Sequence, residues 1–213
     1  MFRTIYNYWN GLPEDERPKL YLFGLSLGSL GSESSPPVHA WIGDSFDGAV
    51  WAGPPFRNQL WRTVQRDRDE GSPAWRPTFE DGANFRVIGH QDSANQDGAD
   101  WGRVRIVYIA YPSDAIVFFE EGMFLRAPQW MSDPRGGDVS PLLRWFPIIT
   151  ALQVGVDMMF AAAVPPGHGH NYAVEDYIEA WSEVTAPPNW DSADSKRLAD
   201  KIEAKAAILS TSW

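Results

Sequence analysis

The stretch that most constrains this chain is Lys19-Leu-Tyr-Leu-Phe-Gly24-Leu25-Ser26-Leu27-Gly28. An apolar, aromatic-rich run over residues 19–23 reads as a buried strand. It enters a G-x-S-x-G turn, and small residues compatible with a helix follow. A turn that tight brings backbone against backbone, so glycine two residues either side of the serine relieves crowding. The serine hydroxyl is then lifted above the sheet edge. The following helix points its first N–H groups at the same place, and Leu27 N–H is the natural donor to a developing oxyanion. This predicts an α/β fold with Ser26 as a nucleophile.

The rest of the chain reads as short strands alternating with helices, the pattern of a mostly parallel sheet. Residues 2–11 form a helix that stops at Gly11. Residues 48–52, 85–88 and 103–111 are strands, and 58–66 is a helix. Residues 142–163 read as a helix with a kink near Pro147. Residues 174–185 form an amphipathic helix that turns Tyr177, Ile178 and Trp181 inward. Residues 192–210 form a last helix, with Ser192 as its N-cap. Ser29, Ser32, Ser34 and Ser35 are expected to cap or to face solvent.

A serine needs a base to act near neutral pH. Of four histidines, His39 and His90 sit in turn-like segments and read as structural. His168 and His170 lie in Pro165-Pro-Gly-His-Gly-His-Asn-Tyr172, where flanking glycines let an imidazole reach the serine. His170 is preferred for its closeness to the next helix, with His168 the alternative. The acid fits best at Asp114, in Tyr111-Pro-Ser-Asp114 after a strand. It would accept the imidazole's second N–H, with a turn-forming Asp in an Asx turn the lesser alternative. Asp92, Asp133 and Asp138 are fallbacks.

Charge and composition narrow the classes further. The chain has 213 residues, 18 Lys+Arg against 28 Asp+Glu, and a net charge of −10. No broad cationic surface is on offer for phosphate backbones, so nucleic acid is not an expected partner. There is no cysteine, which excludes thiolate chemistry and Cys-based metal sites. The sequence implies no cofactor and no metal. Residues 1–12 lack the apolar run of a signal peptide. Pro147, Gln153 and Asp157 interrupt the most apolar stretch, 145–166, which reads as a buried or cap helix in a soluble chain.

Six segments together resemble a bacterial α/β-hydrolase family whose members usually join this domain to an N-terminal multi-span membrane region. They are Arg17–Glu33, Gly48–Pro55, Gly71–Trp75, Tyr111–Asp114, Asp138–Trp145 and Val164–His170. The resemblance runs from Arg17 to Pro188. It implies one α/β-hydrolase-like domain over residues 1–213, with a helical cap over residues 120–164. It also implies a serine esterase or lipase-like activity: Ser26 falls on the nucleophile, Asp114 on the acid, and His168 and His170 on the base position. Only 25 residues precede Ser26, room for one helix and one strand. The upstream strands and the loop carrying a second oxyanion donor are therefore expected to be missing, or to come from a membrane domain or a partner. The expected substrate is an apolar ester or lipid-like molecule, favoured by Trp145, Phe146, Met158, Met159 and Phe160 in the cap, unless those side chains are core. An acyltransferase with the same triad and a non-catalytic binding module are the alternatives.

Overall fold

The computed structural model describes residues 2–90, 98–132 and 134–210. Its centre is a four-stranded sheet in the order β1-β2-β4-β3, with every pairing parallel. The strands are β1 (Tyr21–Leu25), β2 (Gly48–Ala52), β3 (Phe85–Ile88) and β4 (Arg105–Ile109). The helices are α1 (Phe2–Asn10), α2 (Leu27–Ser34), α3 (His39–Ile42), α4 (Gln59–Arg66), α5 (Ala115–Phe118), α6 (Ile149–Phe160), α7 (Val174–Thr185) and α8 (Ser192–Ser210). The fold is α/β, as the alternation of elements predicts.

The two central strands are apolar on both faces because both faces are covered. All five residues of β2 are buried, as are four of five in β4. On one face Trp51, Val87 and Tyr108 pack with Trp61 of α4 and with Met123 and Trp130 from the segment before α6. On the other, Val50, Val107 and Ile109 meet Ala180 and Val184 of α7. The strand β1 pairs only with β2 among the described residues, and alternates buried Leu22 and Gly24 with exposed Phe23 and Leu25. Tyr177 and Trp181 of α7 lie against the Phe23 ring and cover part of that exposure.

Residues 142–163 differ from expectation. The helix there is only Ile149–Phe160, and the segment from Leu142 to Ile148 is irregular. Ile148 has φ 65°, a left-handed conformation that cannot continue a helix, and it follows Pro147. The helix buries Thr150, Ala151 and Val154 but exposes Ile149, Leu152, Val156, Met159 and Phe160. Of the side chains assigned to a cap surface, Trp145 and Met158 pack against the core, whereas Phe146, Met159 and Phe160 are exposed. Among the described residues, no helix is long and apolar enough to cross a membrane.

Smaller differences have local causes. Ser192 is the first residue of α8, and the cap comes from Asp191, whose Oδ1 accepts the Asp194 N–H at 2.9 Å. Ser29 is fully buried rather than solvent-facing, and its hydroxyl donates to the Ser26 carbonyl at 2.7 Å. On α7 the inward face includes Asp176, which the amphipathic pattern had left unassigned.

Candidate active site

The strand registers align Leu25 with Ala52, Ala52 with Ile109, and Ile109 with Ile88. All four strands therefore end at one level, and the residues just beyond them share one edge. Open parallel sheets bind ligands at this carboxyl edge. Ser26 follows β1, Gly53 follows β2, Asp114 follows β4 after a four-residue turn, and His90 follows β3.

Ser26 occupies the N-cap position of α2 with φ 55° and ψ −125°. A non-glycine residue there is strained, by about 1–3 kcal/mol. Its N–H donates to the Ala52 carbonyl at 2.9 Å, so the turn is tied to the end of β2. The carbonyl accepts the Ser29 hydroxyl and the Ser29 N–H. Behind the turn, buried Glu33 holds α2 to its neighbours. Its Oε1 accepts the Leu60 N–H at 2.8 Å, and its Oε2 accepts from Asn58 Nδ2 at 3.0 Å and from the Tyr108 hydroxyl at 3.1 Å. Burial pushes the Glu33 carboxyl above its ordinary value, against the pull of these three donors. The two motif glycines are not equivalent. A methyl at Gly24 would collide with the backbone of Gly28 and Ser29, but one at Gly28 would meet nothing within 4 Å. The crowding expected on both sides of the serine exists on one. Leu27 opens α2, where an N–H has no intrahelical acceptor and is free to face an oxyanion.

Asp114 makes both of the contacts its sequence context allowed. Its Oδ1 accepts the Ile116 N–H at 2.9 Å and caps α5, the Asx-type contact. Its Oδ2 faces His170 Nδ1 at 2.7 Å. Both side chains are withdrawn from water, Asp114 fully and the His170 side chain at 8% exposure. The second imidazole nitrogen, Nε2, is buried with no hydrogen-bond partner among the described residues, so Ser26 Oγ is not bonded to it here. The ring still lies close to the serine turn. It packs on Gly53, next in sequence to the Ala52 that holds the Ser26 N–H, and a side chain at Gly53 would strike it. Gly53 has φ 54°, so glycine is needed there for both backbone and space.

His168, the alternative base, is exposed, and its ring is 6.3 Å from that of His90. His39 meets the Tyr6 ring at a tilt in the packing of α1 against α3. Among the fallback acids, Asp92 and Asp133 lie outside the described residues. Asp138 accepts the Ser113 N–H at 3.1 Å and the Ser113 hydroxyl at 2.5 Å. The Ser113 hydroxyl oxygen accepts the Gly169 N–H at 2.9 Å. Asp138 thus clamps the acid turn to the histidine loop, one residue from His170.

Sequence reasoning missed Tyr172. Its hydroxyl donates to Asp114 Oδ2, the oxygen that also faces His170. Burial, then the Asp114 charge, pushes the phenol well above its ordinary range, so it stays an O–H donor. The signal was weak: a tyrosine two residues past a histidine in a loop has no diagnostic spacing. Among the described residues no group of three His, Asp or Glu side chains could hold a metal ion.

No curated protein and no solved structure matches the chain. A family comparison does, over residues 1–198, a span that includes Ser26, Asp114 and His170. With that match, and a parallel sheet flanked by helices, the chain belongs to the alpha/beta-hydrolase family.

Proposed function

We propose that the chain is a serine hydrolase acting on carboxylic esters through Ser26, His170 and Asp114. One observation carries the reading. An Asp114–His170 pair, with the imidazole's outer nitrogen unpartnered, stands on the strand end to which the Ser26 turn is hydrogen-bonded.

In this mechanism Asp114 Oδ2 accepts Nδ1–H and fixes the tautomer, so Nε2 carries the lone pair. As Ser26 Oγ bonds to the ester carbonyl carbon, its proton passes to Nε2. The carbonyl π electrons move to oxygen, where Leu27 N–H stabilises the charge. Collapse expels the alcohol, which takes the proton from Nε2, and leaves an acyl-Ser26 ester. Water then attacks that ester, giving one proton to Nε2. The tetrahedral intermediate breaks to the carboxylic acid, and Ser26 Oγ recovers its proton. The apolar side chains exposed on α6 favour an apolar ester over a sugar or nucleotide. The open edge of β1 is where strands supplied by a partner or membrane domain would pair.

That same edge favours a second reading, a non-catalytic or partner-dependent module, because no described strand pairs with the edge of β1 away from β2 to provide a second oxyanion donor. A fluorophosphonate probe on the full chain separates the two. Serine hydrolysis predicts labelling that disappears in Ser26→Ala, and labelling slowed by several decades in Asp114→Asn. In Asp114→Asn an amide would present N–H to Nδ1 and favour the wrong tautomer, a change worth about 10⁴ in a measured serine enzyme. Folded wild-type protein that takes no probe would overturn the catalytic reading. Product analysis with water and an added alcohol separates hydrolysis from acyl transfer.

A further inference from the structure

A second trio of the same make-up stands beside the first. His90 Nδ1 is 3.0 Å from Asp176 Oδ2, and the Tyr111 hydroxyl donates to that same oxygen. The pattern repeats that of His170, Asp114 and Tyr172: one buried carboxylate oxygen shared by an imidazole Nδ1 and a phenol. Asp176 is only 2% exposed. The two phenol rings touch, with centroids 4.5 Å apart, so the trios pack against each other.

What the second trio contacts is the loop that carries the base. Gly167, with φ 87°, lies flat on the His90 ring, and a methyl there would come within 2.6 Å of Nε2. At the loop's far end the Ala173 N–H donates to the Tyr111 oxygen at 2.8 Å. Between these points the His170 N–H donates to the Ala161 carbonyl at 2.8 Å, and the Gly169 N–H to Ser113. The segment from Gly167 to Ala173 is thus held at both ends by the second trio and from below by the acid turn.

We propose that His90, Asp176 and Tyr111 are positioning residues that set where His170 stands relative to Ser26. This rests on the serine-hydrolase reading. Apolar side chains of equal volume could fill the same space without the cost of burying a carboxylate. Hydrogen bonds add direction: Asp176 orients the His90 ring against Gly167, and Tyr111 fixes the backbone at Ala173, three residues after His170. An error of about 1 Å in a reacting group can cost about 10²-fold in rate. Losing one of the two anchors should therefore lower turnover without touching the reacting atoms.

The test uses His90→Ala and His90→Asn in the full chain. The asparagine amide can stand where Nδ1 stood and still donate to Asp176. Hydrolysis of a p-nitrophenyl ester and the rate of fluorophosphonate labelling are measured alongside thermal unfolding. His90→Ala is expected to lower kcat by about 10- to 100-fold with KM within about twofold, and His90→Asn to recover most of it. If His90→Ala does not fold, Tyr111→Phe removes one oxygen, keeps the ring, and should show the same split. A folded variant with wild-type kcat and only a lowered Tm would reduce the trio to a structural role. Failure of His90→Asn to recover activity would do the same. A third readout needs no catalysis: the low-field proton resonance of His170 Nδ1–H, assigned by its loss in His170→Gln. It should move in His90→Ala and return in His90→Asn; an unmoved signal overturns the proposal. Wild-type protein that takes no probe refutes the hydrolase reading instead, and the resonance still decides whether the trio positions His170.

Discussion

Gly53→Ala tests the spatial relation on which the site depends, between the strand end that holds Ser26 and the ring of His170. A methyl at Gly53 would lie 2.9 Å from His170 Nδ1, 2.9 Å from Tyr172 Cε2, and closer still to His170 Cε1. Ordinary contact begins at 3.4 Å, so both rings must retreat by at least half an ångström. They cannot retreat freely, because Asp114 Oδ2 holds both. The residue must also keep φ near 54°, which costs a non-glycine residue about 1–2 kcal/mol. Loss of this stability is modest beside the 5–15 kcal/mol of a typical domain, so the variant should fold. Displacement of His170 by half to one ångström should slow acylation by about 10- to 100-fold. The assay is the rate of fluorophosphonate labelling at fixed pH, with circular dichroism and thermal unfolding on the same samples. A folded Gly53→Ala protein that labels at the wild-type rate would refute the claim that His170 works from against Gly53.

Two further outcomes follow from the same turn. Gly24→Ala places a methyl in rigid backbone and should cost about 1–3 kcal/mol or prevent folding, whereas Gly28→Ala fills open space within α2 and should be neutral or slightly stabilising; equal melting temperatures for the two variants would contradict this asymmetry. Glu33 is raised above its ordinary 4.5 by burial, so the folded protein holds that proton more tightly than the unfolded chain. Its contribution to stability is full below pH 4.5 and is lost as pH rises through the raised value. Glu33→Gln, which cannot ionise, should therefore give a flatter curve of Tm against pH above that point; a steeper fall than wild type would count against it.

Much of the fold could be read from local chemistry. Short strand-like runs bounded by turn residues located β2 and β3 to the residue, an amphipathic pattern located α7, and a run rich in Ala, Lys and Asp located α8. Ser26, Asp114 and His170, the residues of the proposed site, each stood out in the sequence because a tight turn, a strand end and a glycine-flanked loop leave marks on their neighbours. The unread parts depend on tertiary placement. Apolar composition suggested one helix over 142–163, but composition does not fix where a helix begins, and the left-handed Ile148 decided it. Asp176 falls on the polar side of the α7 pattern. It is buried because His90 and Tyr111, from distant segments, supply its donors. Tyr172 needed the position of Asp114 before its hydroxyl had any meaning. The difference between His168 and His170 needed the loop to be folded: His168 is exposed, whereas the His170 side chain is withdrawn against Asp114.

Backbone strain alone does not mark Ser26 as functional. Ile148 and Ala186 also have positive φ. The difference is what surrounds the strain. At Ser26 the unfavourable conformation is held by its N–H on Ala52, by the Ser29 hydroxyl on its carbonyl, and by Glu33 anchoring the helix behind it. Burying a carboxylate beneath a helix is costly, and an apolar residue would pack there at less expense. What the arrangement secures is the position of the serine turn, whose backbone is tied to the strand end on which the His170 ring packs. At Ile148 strain ends the irregular segment and begins α6. The proposed reaction needs both the backbone-held Ser26 turn and the His170 ring oriented by Asp114, so a variant that relaxes Ser26 while leaving His170 in place should lose reactivity as surely as one that moves the ring.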